Sequence, residues 1–535
     1  MTMVVSGKIP VLIAGGGPVG LALAIELGMS GIACLLVERR DGSIGVPKMS
    51  GLSTRSMELN RRWGVAEQAK HAGWPMTHPN DFVYCTSLAG RELARSKMPS
   101  YAEQKLSYTP EPGCGCAQIF YDPILLARAR ELPGVTIRHM TALENFAEDE
   151  DGVRATLRDM TSGRTEEVAA RYLVGCDGAD GTVARALVRG YEGEGVVADS
   201  VNVYFRAPDL PKIHDKGWAR FYRFTDARGT WGEIIGIDGK ERWRLSVLHA
   251  DADFDGDAYM RRLAGAPLGY EILSVMNWER RERVAERYRA GSVFIAGDAA
   301  HQNSPTGGLG LHTGLADACD LGWKLAAALR GWGGGRLLDS YEAERKPVAL
   351  DNVRASTAEF RVLVDLPTGP EIDDDSEAGE ALRRRFAAEF RRTGEVRSAI
   401  YTENLRTGYC YEPSPICVAD GTTRPPVETK DFVPVARPGT RAPHAWLADG
   451  RSTLDLFGRG FVLLRLGGRA PGADAIVGAA RARNVPLEVV ELADAAIAAL
   501  YERALVLVRP DGHVAWRADD PPKDALPLID RVRGA

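Results

Sequence analysis

Several things are missing from these 535 residues, and each absence narrows the choice. No apolar run approaches the roughly 20 residues a membrane span needs. The opening "MTMVVSGKIPVLIAGGG" holds one lysine and a short apolar run, which reads as a first strand and not as a signal peptide. No basic surplus exists: 67 Lys and Arg face 72 Asp and Glu, a formal charge of -5. Nucleic acid and anionic membrane are therefore not expected partners. The eight cysteines form neither a zinc-like nor a disulfide-like framework, which fits a reducing, cytoplasmic setting and no bound metal. Cys114-Gly-Cys116 reads as a tight Gly-rich loop, with a redox pair as the alternative. No thiol occurs after Cys417, which removes thiol exchange from the last hundred residues.

The strongest local pattern lies near the start, in "KIPVLIAGGGPVGLALAIELGMSGIACLLVERR". An apolar strand over 11–14 leads into Gly15-x-Gly17-Pro18-x-Gly20, then a helix, then a second strand over 33–37 ending at Glu38. One glycine makes the turn, one lets a pyrophosphate approach the backbone, and one lets helix and strand pack closely. Phosphates then sit at a helix N-terminus, where free amides and the dipole favour negative charge. Glu38 stands where a carboxylate binds ribose hydroxyls. Arg39 and Arg40 hint at a 2′-phosphate, but Glu38 would repel it, so the cradle suits FAD or NAD over NADP. There is no second strand–GxGxxG–helix unit: "GWGGGR" at 331–336 follows a helical stretch, and "LGGRAPG" near 466 lacks the acid.

Two further strands end in carboxylates. "YLVGCDGADGTVAR" (172–185) delivers Asp177, and "VFIAGDAAHQNSPTGGLGLHTG" (293–314) delivers Gly297-Asp298, then Pro305 and a glycine loop. A plain strand-to-helix loop of turn residues is the simpler explanation for the second. Each, however, places an Asp where a strand's C-terminal end opens on a crevice. A helical pattern follows over 311–330, with Leu311, Leu315, Ala318, Leu321 and Leu325 on one face.

GxGxxG, then "CDG", then "GDAAH…P.GG.G", in this order and spacing over most of the first 350 residues, resemble the class A FAD-dependent aromatic hydroxylases. "LLDSYEAERKPVA" (337–349) resembles the family segment after the flavin helix. The resemblance implies an α/β fold: a Rossmann-like FAD-binding domain (1–77, 105–190 and 285–365) and a mostly antiparallel β-sheet substrate domain (78–104 and 191–284). A helical and linker segment (366–430) would precede a C-terminal thioredoxin-like domain (431–535), like that of the phenol hydroxylase branch but without redox cysteines. Aromatic residues crowd the substrate region, with Arg220, Arg223, Arg244 and His249 as polar anchors to consider.

The resemblance also implies roles. FAD would be held by Gly15, Gly17, Pro18, Gly20, Glu38, Arg39, Lys48, Arg55, Gln118, Asp177, Gly297, Asp298, Pro305, Gly308, Gly310, Leu311 and His312. Asp298 would bind the ribityl chain, and Pro305 with the Gly307–Gly310 loop would pass beside the flavin. NADH or NADPH would be co-substrate. Reduced flavin would trap dioxygen as a 4a-hydroperoxide and pass one oxygen to a phenolic or related aromatic ring. His312, Pro305 and Ser50 are the residues placed nearest that chemistry; His301 is a motif residue with a structural role. A homodimer is the expected assembly. Baeyer–Villiger insertion or epoxidation on a polyketide or alkaloid is the alternative chemistry, and a non-catalytic flavin-binding protein the alternative class. The Trp-x-Trp-x-Ile motif of flavin halogenases is absent. The chain departs from the family pattern at His312 (usually Asn), Lys48 (usually Arg), Gly181, Ala184 and Ser304.

Overall fold

The computed structural model describes residues 8–250, 253–394, 403–424 and 432–535. The centre of its first sheet holds short, almost wholly apolar strands. Ile9–Ala14, Cys34–Val37 and Val293–Ile295 are nearly all buried, as strands covered on both faces must be. Ile9–Ala14 pairs in parallel with Cys34–Val37 on one side and Thr165–Gly175 on the other. Val293–Ile295 extends the parallel run beyond Thr165–Gly175, and Val135–Arg138 beyond Cys34–Val37. Two helices, Pro18–Met29 and Gly310–Leu329, pack against each other over this sheet, their small residues permitting close approach. A hairpin, Thr141–Asp149 with Gly152–Asp159, continues from the long strand Thr165–Gly175.

The register decides where a ligand can sit. Ala14 and Ile295 both pair with Gly175. The residues that follow these three strands, Gly15, Asp177 and Asp298, therefore emerge side by side at the carboxyl ends of parallel strands. That is the ligand crevice of an open α/β sheet.

The second sheet has eight strands and is antiparallel except where Phe221–Asp226 runs parallel to Phe82–Cys85. Its centre is the pairing of two long strands, Tyr191–Arg206 and Glu271–Ala285. The Glu271–Ala285 strand ends by pairing with His301–Gln302, directly after the Asp298 turn. The second sheet is thus joined to the crevice wall directly after Asp298. The long helix Asp339–Val364 then crosses the sheet and seats Phe360 and Leu363 on Ala198 and Leu248. The shorter helix Glu377–Thr393 closes over the far end, packing Phe386 and Phe390 on Tyr84.

The third sheet orders Leu487–Leu492, Phe461–Leu466, Leu505–Val508 and Val514–Ala518, one pair parallel and two antiparallel. Helices Asp474–Ala482, Ala495–Tyr501 and Leu526–Val532 accompany it. The Pro510-Asp511-Gly512 turn joins the last two strands, as its residue types predict.

The segment expected to be a linker differs from that expectation. Tyr409, Cys410, Tyr411, Ile416 and Cys417 are buried. Tyr411 stacks near His513, and Val418 pairs its backbone with Ala515. Its prolines and glycines suggest a spacer, but the apolar residues between them fill the seam between the third sheet and the rest. Part of that stretch, 425–426, lies outside the described residues.

Candidate active site

One cleft of about 1530 Å³ runs from the first glycine loop to the inner face of the second sheet. At its start Gly15 has φ +109°, and a side chain there would collide with the Cys176 carbonyl. A Cβ at Gly20 would collide with the Gly15 carbonyl oxygen, so this glycine serves packing and does not line the cleft. Gly17 faces open space. It starts helix Pro18–Met29, whose N-terminus has no side-chain cap. An uncapped helix end opening on a cavity is a ready anion site. Glu38 closes the loop by accepting hydrogen bonds from Gly16 N at 2.8 Å and Arg40 N at 2.9 Å.

The middle of the cleft is walled by the other strand ends. Asp177 accepts from Val183 N at 2.8 Å, while its Oδ1 is buried without a partner, and burial pushes its carboxyl up. Asp298 is exposed into the cleft. The turn before it is fixed from behind. Gly297 N donates to Asp317 Oδ2 at 3.1 Å, and that oxygen also lies 2.7 Å from His301 Nε2. Arg345 Nε donates to Asp317 Oδ1 at 2.8 Å. Burial alone would raise the Asp317 carboxyl, but His301 and Arg345 hold it below its usual value. His301 is therefore a structural residue, as its motif position suggests.

Further along, Pro305, Gly308, Gly310, Leu311 and His312 line the cleft together with Ser50 and Lys48. Helix Gly310–Leu329 has no side-chain cap, so its first amides stay open. Gln118 bridges two elements, accepting from Lys48 N at 3.1 Å and donating to Asp122 at 3.1 Å. Asp122, unsignalled in the sequence, lines the cleft, and burial pushes it up to about 7.

Most of the residues expected to hold FAD or stand beside its chemistry meet in this cleft: Gly15, Gly17, Pro18, Glu38, Arg39, Lys48, Ser50, Gln118, Asp177, Asp298, Pro305, Gly308, Gly310, Leu311 and His312. Arg55 does not. It donates to Glu58 at 3.0 Å and to the Asp511 carbonyl at 3.1 Å, facing the third sheet. Its neighbours on helix Thr54–Trp63 do face the site: Thr54 lines the cleft and Ser56 reaches His312. One step along the helix thus separates a cleft residue from a buttress. Gly297 is likewise behind the wall.

The second sheet grips the loop that carries Lys48 and Ser50. Ser274 Oγ donates to Gly45 O at 2.7 Å, and Arg244 donates to Pro47 O at 2.7 Å and Lys48 O at 2.8 Å. Arg220 donates to Ser50 O and Gly236 O. Burial pushes Arg244 down to about 10. These loop partners are far apart in sequence, so no local pattern announces them. Of the anchors considered, Arg220, Arg223 and Arg244 line the cleft, whereas His249 packs on Phe360.

Open amides at two uncapped helix ends and the strand-end carboxylates of Glu38, Asp177 and Asp298, all on one cleft, together fit FAD. The chain's similarities decide the matter. Residues 8–356 match the FAD binding domain family, and residues 435–533 match the C-terminal domain of aromatic-ring hydroxylases. The chain belongs to the FAD-dependent aromatic-ring hydroxylases. A putative polyketide hydroxylase of Streptomyces halstedii is 35% identical, covering 96% of this chain and 94% of its own. The tetracenomycin B2 monooxygenase-dioxygenase of Streptomyces olivaceus is 32% identical, covering 98% of both. Among solved structures, RebC with bound 7-carboxy-K252c superposes with a TM-score of 0.92 at 41% identity, over 98% of this chain and 99% of that one. This hydroxylase is accordingly a flavoprotein monooxygenase whose cofactor is FAD and whose co-substrate is NADH or NADPH.

Along helix Gly310–Leu329 the hydroxylase keeps a buried ion cluster. Arg509, from the third sheet, donates to Glu344 at 2.6 Å, Asp320 at 2.9 Å and Asp511 at 2.7 Å. Lys324 donates to Asp320 at 2.7 Å and Glu344 at 2.6 Å. The C-terminal domain thus supplies a counter-charge to the helix that begins at the cleft. Its own sheet carries no cysteine, so it offers no thiol for exchange.

Proposed function

We propose that this hydroxylase inserts one atom of dioxygen into a fused-ring phenolic or related aromatic substrate, larger than a simple phenol. The observation that carries this reading is the cleft beyond His312. The volume of about 1530 Å³ exceeds the roughly 300–1000 Å³ of an ordinary ligand pocket, leaving room for cofactor and a sizeable substrate. The far wall is flat and aromatic: Phe82 stacks on Phe221 with centroids 4.4 Å apart, and Tyr84 and Phe390 adjoin them. Arg223 lies over Phe82 and Tyr84 and donates to Glu233 at 3.1 Å, placing a few polar groups in an apolar slot. Relatives named for polyketide and aklavinone hydroxylation agree in substrate size.

Bound FAD, once reduced, supplies the oxygen-activating chemistry. The protein's part is to bind, orient and exclude water. Gly17 and the helix amides after Pro18 would take the pyrophosphate, Glu38 the adenosine ribose, and Asp298 the ribityl chain. Pro305, Gly308 and Gly310 let backbone approach the flavin. Arg220 and Arg244 hold the Lys48–Ser50 loop in the cleft wall, where it would meet the bound cofactor, and helix Glu377–Thr393 would cover the substrate end. A homodimer in the cytoplasm is the assembly and setting that complete this reading.

The test is a size series. Purified protein is loaded with FAD, and NADH and NADPH oxidation is followed with phenol, a naphthol, and tri- and tetracyclic phenols, with peroxide measured alongside. Stimulation that rises with ring number, with little peroxide, supports the reading. Stimulation by phenol alone refutes the substrate size, and a product whose NMR shows ring expansion refutes hydroxylation.

A further inference from the structure

His312 stands in the first turn of helix Gly310–Leu329 and lines the cleft. Its Nδ1 lies 2.7 Å from the hydroxyl of Ser56, a residue 256 positions earlier. That hydroxyl has a defined polarity. Ser53 caps helix Thr54–Trp63 by accepting the Ser56 backbone N–H at 3.3 Å, and its own hydroxyl donates to Ser56 Oγ at 3.3 Å. Of the two side chains that Ser56 Oγ meets, Ser53 donates to it, which leaves Nδ1 as the partner to accept the Ser56 proton. Burial, and secondarily the Arg406 guanidinium held on the Gly307 carbonyl, keep the imidazole well below its usual pKa and hence neutral. A neutral imidazole carries a single N–H. With Nδ1 accepting, that proton resides on Nε2, the ring's remaining polar atom for the cleft.

We infer that Ser56 is a positioning residue that locks His312 as the neutral Nε2–H tautomer, a fixed hydrogen-bond donor toward the flavin. This rests on FAD filling the cleft. A donor aimed at ring atoms that gain negative charge on reduction stabilises the reduced form over the oxidised one. Without the lock the ring can present a lone pair instead. The expected effect is that Ser56→Ala lowers the ratio of reduced to oxidised FAD affinity about tenfold, equivalent to about 30 mV for a two-electron couple.

The experiment uses the FAD-loaded full chain carrying 15N-histidine, with the His312 signals identified by their loss in His312→Asn. The expected wild-type pattern is a protonated Nε2 and an unprotonated, hydrogen-bonded Nδ1. Ser56→Ala should shift the Nδ1 resonance and lower the flavin potential, and Ser56→Thr should restore both. A protonated Nδ1 in the wild type overturns the inference, as does Ser56→Ala with resonance and potential unmoved. If Ser56→Ala does not fold, the wild-type tautomer and the Ser56→Thr variant still decide. Wild-type protein that takes up no FAD would instead overturn the cofactor reading, while the Nδ1 resonance still reports whether Ser56 fixes the tautomer.

Discussion

Asp317 connects the interior of the protein to the cofactor cleft, and the cost of removing its carboxylate follows from its partners. Asp317→Ala leaves the fully buried Arg345 guanidinium without its counter-ion and the Gly297 amide without an acceptor. Breaking one side of a buried pair costs about 3–5 kcal/mol, and an unsatisfied buried amide about 1–3 kcal/mol. Local relaxation overlaps the two, so a loss of about 4–6 kcal/mol is expected, close to a typical domain's whole stability of about 5–15 kcal/mol. The assay is urea unfolding of the FAD-loaded protein, followed by flavin fluorescence and far-UV dichroism. Flavin release should precede loss of secondary structure, because Gly297 adjoins Asp298. Adding Arg345→Met, which removes the stranded charge, should recover a substantial part of the loss. A change under about 1 kcal/mol in Asp317→Ala, or no recovery in the double variant, would show that Asp317 does not bear this load.

Other outcomes follow from the same structure. Asp298→Ala should weaken FAD binding roughly ten- to a hundredfold, the worth of one charge-assisted hydrogen bond of about 1.5–3 kcal/mol; a purified variant with stoichiometric FAD would count against its role. Arg509→Met leaves buried Asp320 and Glu344 with Lys324 as their one paired cation and Asp511 with His513, so it should lower the thermal midpoint and loosen the C-terminal domain, read by limited proteolysis. In acid, Asp317, Asp511 and Glu344 are held below their ordinary values by the cations beside them, while burial pushes Asp320, next to Glu344, the other way. Lowered folded pKa values give stability that is complete above about pH 4–5 and lost as pH falls through them, so an acid titration should show unfolding between about pH 4 and pH 2. A midpoint near about pH 6 would contradict this. Replacing Cys114 and Cys116 by Ala should leave turnover unchanged with or without added reductant, since burial raises both thiols, Cys116 to about 12.

The parts of this structure that are legible in the sequence are those made by consecutive residues. A strand, a glycine turn and a helix declare themselves locally, and three strand ends at Gly15, Asp177 and Asp298 imply one crevice. The aromatic wall is legible as composition but not as an arrangement, because Phe82 meets Phe221 across paired strands. Arg55 shows the limit of motif transfer: its place on the helix is one residue from Ser56, yet it points at Asp511 and not at the cleft. Ser56 itself carries no local signal, since a serine in a helix's first turn is commonplace and its partner His312 comes from a distant helix. The seam at 409–418 resembles a linker in sequence because proline and glycine mark turns whether or not the residues between them are buried.

The fate of dioxygen separates a working hydroxylase from every other use of this cleft. With FAD-loaded protein, NADH or NADPH, a fused-ring phenol and 18O2, each product molecule should gain a single labelled oxygen, with one equivalent of nicotinamide oxidised. Nicotinamide oxidation that yields only labelled peroxide across the whole aromatic series, or product carrying oxygen from water, would contradict hydroxylation by this protein.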